Sequence, residues 1–162
     1  MKIEAALLLG SNFDDKEHFI ELALIEISRK YKVISRSSFY YSDPLGFKSN
    51  NEFVNLGILI KSHSQPDVLL KDLLDIEIKL GRKRNFNDGY KDRPIDIDII
   101  LFSKDEVNND DLIIPHPRMH LRNFCLIPLN EIIPNYIVPG FNKTIKQLLY
   151  LCEDNSEVRC PK

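Results

Sequence analysis

The run RPIDIDIILF at residues 93–102 constrains the fold of this chain more than any other stretch. It has the apolar density of a buried β-strand, yet two aspartates interrupt it two residues apart. Side chains alternate faces along a strand, so Ile95, Ile97, Ile99 and Leu101 are expected on one face and Asp96, Asp98, Ile100 and Phe102 on the other. At a rise of roughly 3.3 Å per residue the two aspartate Cα atoms lie ~6.6 Å apart and point the same way. Carboxylates this close repel unless a cation lies between them, a proton is taken up, or water screens them. One reading is a half-exposed strand whose polar face meets water. The other is a partly covered oxygen-ligand site, since Ile100 and Phe102 continue the aspartate face as apolar. Such a site suits Mg²⁺, which takes one or two carboxylates together with substrate phosphates.

Just upstream, Lys79, Arg82, Lys83, Arg84, Lys91 and Arg93 crowd into fifteen residues. A solvated basic loop is the plain explanation. The loop feeds directly into the acidic strand, however, and cations beside an acid-bound metal are what a polyphosphate requires. The sequence contains no G-x-x-x-x-G-K-[ST], which excludes a P-loop. Any triphosphate must therefore be held by side chains and metal.

The surrounding pattern is that of one α+β domain. Residues 3–9 read as a strand ended by Gly10-Ser11-Asn12, and 32–41 and 52–61 as two more strands. Ile20, Leu24, Ile27 and Tyr31 make a helical stripe within 14–31; Leu69, Leu73, Ile76 and Leu80 make another, with Pro66 in the first turn and Gly81 after the last. The order β-α-β-β-α-β is the ferredoxin-like arrangement, an antiparallel sheet with the core helices on one face. NFCLIPLNEIIP and TIKQLLYLCE add two C-terminal helices. A length of 162 residues suits a single domain. The net charge of −2 gives no global reason to expect nucleic acid. Three cysteines without a C-x-x-C pair argue for a reducing compartment, and the N-terminal apolar run is too short for a membrane span or signal peptide. A cytoplasmic protein is expected.

Three further features bear on chemistry. In IPHPRMHLRNF, prolines flank His116, so His116 and His120 do not form a helical metal pair. A stiff loop presenting His116, Arg118 and Arg122 to an anion is the better reading. Asn55 lies in a strand with Phe53 on its face. It is either an edge-strand polar residue or an amide that reads the rim of a flat ring packed on Phe53. Glu77 projects from a leucine-rich helix face and is expected at least to anchor Arg82 or Arg84.

Taken in order, LLLGSN (7–12), SSFYYSDPLG (37–46), FVN (53–55), IEIKLGRKR (76–84), RPIDIDIILF (93–102) and PHPRMHLRNFCLIPLNEIIP (115–134) resemble the 6-hydroxymethyl-7,8-dihydropterin pyrophosphokinase family of folate biosynthesis. The resemblance implies transfer of the β,γ-diphosphate of ATP to the pterin hydroxymethyl oxygen, with release of AMP. By the family pattern, Asp96 and Asp98 would bind two Mg²⁺ ions, Arg82 and Arg93 would grip the transferring phosphates, and Arg84, His116, Arg122 and the Ile99 backbone would hold the nucleotide. The pterin would lie between Phe53 and Phe124, read by Asn55 and the backbone from Asp43 through Pro44 and Leu45 to Gly46. The resemblance further implies a monomer whose partners are ATP and the pterin, with no nucleic acid or membrane. The loop GYKDR departs from the R-W-G-P-R common in relatives. Tyr90 is expected to serve there as a flat lid over the site. A Mg²⁺-dependent transferase acting on nucleotide sugars would leave Asn55 and the PHPR loop without a role. An RNA-binding module would not place carboxylates where phosphates must bind.

Overall fold

Apolar character on both faces of the first strand dictates a sheet covered on both sides, and this is what the chain builds. The computed structural model describes residues 3–43, 51–82 and 93–161. In chain order these form β1 (Ile3–Ser11), α1 (Lys16–Ser28), β2 (Lys32–Arg36), β3 (Tyr40–Ser42), β4 (Phe53–Ser62), α2 (Pro66–Lys79) and β5 (Asp96–Phe102). Two small hairpins follow, β6 (Val107–Asn108) with β7 (Ile113–Ile114), and β8 (Ile137–Val138) with β9 (Lys143–Thr144). Helix α3 (Asn123–Ile132) lies between the hairpins, and α4 (Ile145–Leu151) and a last strand, β10 (Val158–Arg159), come after them.

The main sheet runs β10-β3-β4-β1-β5, with β2 paired along the other half of β4, and every pairing is antiparallel. This is the strand order of the ferredoxin-like fold. The stripes of α1 and α2 bury Ile20, Leu24, Ile27, Leu69, Leu73 and Ile76 against Leu7, Leu9, Ile58 and Ile60. Gly81, at φ +101°, stops the chain after α2 in a conformation that glycine adopts freely. The opposite face is covered by α3 and α4, whose Cys125, Leu126, Leu129, Ile145 and Leu148 pack on Ala6, Leu8 and Leu59. A sheet buried on both sides explains why AALLL is continuous rather than alternating. Each large side chain so buried contributes roughly 1.5–3 kcal/mol.

Three expectations from the sequence change. Strand β1 does not end at Gly10 but carries its ladder through to Ser11. The single strand expected over 32–41 is broken at Ser37, whose hydroxyl accepts the Gly57 N–H (2.9 Å) while its own N–H donates to the Gly57 carbonyl (2.8 Å). Next to it, the Ser38 N–H leaves the ladder for the Glu131 carboxylate (2.8 Å). Third, β5 does not alternate throughout. Ala6 faces Leu101 but Leu7 faces Ile99, so Ile100 is the extra residue of a β-bulge. Beyond it the two faces exchange. Phe102 joins Ile95, Ile97 and Ile99 in the α1–α2 layer, while Leu101 joins Ile100 under α3. Both aspartates precede the bulge, so the apolar continuation of their face is Ile100 with Leu101.

Close packing of α3 on β4 rests on Gly57. A Cβ there would lie 3.2 Å from the Pro128 Cβ and 3.3 Å from the Pro128 carbonyl carbon. A proline ring inside a helix cannot rotate away. Gly57→Ala should therefore destabilise the protein by about 1–3 kcal/mol, read as a lower urea midpoint at unchanged m-value. An unchanged midpoint would mean that α3 shifts outward freely.

Candidate active site

Strand β5 is one edge of the sheet, so alternate main-chain groups point away from β1. Ile97 turns its N–H outward, where Oε2 of Glu77 accepts it at 2.7 Å. Glu77 is only 1% exposed, and its other oxygen lies 3.1 Å from Arg82. Arg82 in turn reaches Oδ1 of Asp96 at 2.7 Å, and Arg93 reaches Oδ2 of the same carboxylate at 3.3 Å. Asp96 is thus clasped by two guanidinium groups.

Asp98 is different. Among the described residues no hydrogen bond or ion pair engages its carboxylate. Burial, then the charges of Asp96 and Glu77, push its carboxyl well above the usual carboxylate range. An unpaired, half-buried carboxylate beside a second one is a hard oxygen donor set that fits Mg²⁺.

Two pockets meet at this residue. The first is lined by Leu8 and Gly10 of β1, Ser42 and Asp43, Phe53 and Asn55 of β4, and Phe124 of α3, together with Arg93, Asp96, Asp98 and Arg122. A Cβ on Gly10 would stand 3.1 Å from Oδ1 of Asn55 and 3.9 Å from the Phe53 ring, so glycine keeps this space open. The Asn55 amide donates to the Ser42 hydroxyl at 3.1 Å, which fixes its orientation. Arg93 stands over the Phe53 ring (5.8 Å to the centroid) and Arg122 over Phe124 (5.5 Å). The second pocket is lined by Leu70 and Leu74 of α2, Ile97, Asp98 and Ile99 of β5, and Leu112, His116 and Pro117 beyond it. Burial, then the Arg122 charge, hold the His116 imidazole below its ordinary range, so it is neutral near pH 7. Its Nδ1 accepts the Arg118 N–H at 3.2 Å, which leaves the proton on Nε2.

Residues 6–134 match the model of the 7,8-dihydro-6-hydroxymethylpterin-pyrophosphokinase family. The chain belongs to this family. It is 38% identical over 130 residues to the 2-amino-4-hydroxy-6-hydroxymethyldihydropteridine pyrophosphokinase of Bacillus subtilis, covering 79% of this chain and 77% of that one. Its match to the enzyme of that name from Haemophilus influenzae is 33% identical over 159 residues, 97% of this chain and 98% of the other. The fold also matches a solved HPPK-DHPS in complex with substrates, with a TM-score of 0.74 at 17% identity, covering 93% of this chain and 43% of that chain. The corresponding protein of Plasmodium falciparum gives 0.71 at 19% identity, over 93% and 41%.

The structure brings Asp43, Phe53, Asn55, Arg93, Asp96, Asp98, Arg122 and Phe124 around one pocket of this family member and Ile99 and His116 around the other. Arg122, expected beside the nucleotide, lines the pocket that holds the two phenylalanines. His120, the second histidine of its loop, packs on Phe141 with ring centroids 4.8 Å apart. Pro44, Leu45, Gly46, Arg84 and Tyr90 lie outside the described residues, and so does the expected lid. Sequence reading missed Gly10 and Ser42. Both stood in quoted motifs, but Gly10 read only as strand punctuation.

Asp98 also sets a pH dependence. A carboxyl raised above its unfolded value favours the protonated folded state, so its charge costs stability above the raised value. That cost is relieved as pH falls towards the ordinary carboxylate range. In metal-free buffer, Asp98→Asn should melt higher than the wild type at about pH 7.5, the gain shrinking towards about pH 5. A lower melting temperature at both pH values would contradict the burial-and-repulsion account.

Proposed function

We propose that this site transfers the diphosphate of ATP to the hydroxymethyl oxygen of 6-hydroxymethyl-7,8-dihydropterin, giving the pterin diphosphate and AMP in folate biosynthesis. The observation that carries this reading is the position of Asp98, which lines both pockets, so that ligands in the two would meet at one carboxylate. A phosphate chain passing from one pocket to the other must pass this carboxylate.

The pterin occupies the first pocket, its ring between Phe53 and Phe124 and its polar edge against Asn55. The Ser42 bond uses one Asn55 N–H and leaves the carbonyl and the second N–H for the ring. The nucleotide occupies the second pocket. There Ile99, two residues beyond the outward-facing Ile97, offers main-chain groups to the adenine, and Nε2–H of neutral His116 donates to an acceptor. Two Mg²⁺ ions held by Asp96 and Asp98 would neutralise the triphosphate and hold its oxygens for displacement. Arg82 and Arg93 add positive charge where the transferring group develops it negative. Both rest on Asp96 in this structure, beside where the phosphates would lie, and would turn from that carboxylate to the transferring group as metal takes their place on it. In phosphoryl transfer the protein's contribution is chiefly positioning and charge stabilisation, and these residues supply both. Arg122, placed with Asp96 in the first pocket, is directed to phosphate rather than to adenine. The three free cysteines suit a reducing compartment, and a cytoplasmic location is part of this reading.

Incubation with ATP, Mg²⁺ and the pterin alcohol, followed by chromatography, should yield AMP. ADP, or no turnover, would overturn the reading. Asp96→Asn and Asp98→Asn should each lower turnover by at least about a hundredfold while preserving the circular dichroism spectrum. Near-normal rates in both would remove the metal assignment.

A further inference from the structure

The ladder between β1 and β5 ends at the pair Gly10 and Asp96. Continued in register, it would set Asn12 opposite Pro94, which has no N–H to donate. The chain solves this with a side chain. Oδ1 of Asn12 accepts the Arg93 N–H at 2.7 Å, and the Asn12 N–H donates to the Arg93 carbonyl at 3.3 Å. Asn12 is 1% exposed, so these bonds are shielded from water. Arg93 is further restricted by the proline that follows it, which holds a preceding residue extended. After Pro94 comes Ile95, which is fully buried. The backbone of Arg93 is thus fixed on both sides, and its guanidinium is delivered to Asp96 and over Phe53.

We infer that Asn12 is a positioning residue for the diphosphate transfer, acting through Arg93. The inference rests on the proposed function. Asn12 is not among the residues that line either pocket. It sets where the Arg93 charge stands relative to the two pockets, and a side-chain acceptor does this where a backbone ladder cannot.

The test is a double-mutant cycle in single-turnover assays, with enzyme in excess over ATP and pterin. Asn12→Ala should slow transfer about tenfold or more, with ATP-analogue affinity within about twofold of wild type. Asn12→Asp keeps the acceptor oxygen and should stay within about fivefold of the wild-type rate. In an Arg93→Ala background, Asn12→Ala should cost less than about twofold more, because its effect is already lost. Hydrogen exchange at the Arg93 amide should accelerate in Asn12→Ala and not in Asn12→Asp. Additive losses in the double variant, equal damage from Ala and Asp, or a wild-type rate in Asn12→Ala would each overturn the inference. If wild-type enzyme forms no AMP, the proposed function fails. The amide exchange then still decides whether Asn12 holds Arg93.

Discussion

Two like charges on one apolar edge strand are the constraint to which the rest of the site responds. Asp96 is balanced by Arg82 and Arg93. Arg82 is held in turn by buried Glu77, which also secures the strand through the Ile97 N–H. Asp98 receives no such partner among the described residues, and its charge costs the folded protein accordingly. Natural chains retain such a cost where a ligand relieves it. On the function proposed above, a cation beside Asp98 would relieve that cost.

The sheet makes this possible by being covered on both faces. Helices α1 and α2 supply one layer and α3 and α4 the other, so the aspartate face of β5 has an apolar continuation instead of open water. The same α3 brings Phe124 to the pocket, and its fit against β4 depends on the absence of a side chain at Gly57. Rigid strands carry Phe53, Asn55, Asp96 and Asp98, which keeps their mutual geometry independent of loops.

The parts of this architecture governed by short-range periodicity were legible in the sequence. The stripes of α1 and α2, the order of core strands and helices along the chain and the placing of Asp96 with Asp98 on one face follow from periods of 3.6 and 2. Glu77 was legible as an anchor for an arginine, though not as the acceptor for Ile97. What could not be read depends on partners remote in the chain. The bulge at Ile100 is set by how β1 registers against β5, and it moved Leu101 and Phe102 to faces opposite to those expected. Gly10 matters because Asn55 lies 3.1 Å from where its Cβ would be, and Asn12 because Arg93 lies across the sheet end. Neither contact leaves a local pattern, and Gly-Ser-Asn reads equally well as a turn.

The central claim is that Asp98 marks the junction at which metal-bound phosphates pass from nucleotide to pterin. A crystal structure with Mg²⁺, a non-hydrolysable ATP analogue and the pterin alcohol tests it most directly. The account predicts metal density on Asp96 and Asp98, the pterin ring between Phe53 and Phe124, and the adenine beside Leu70, Leu74 and His116. Metal bound away from Asp98, or the two ligands in exchanged pockets, would contradict it.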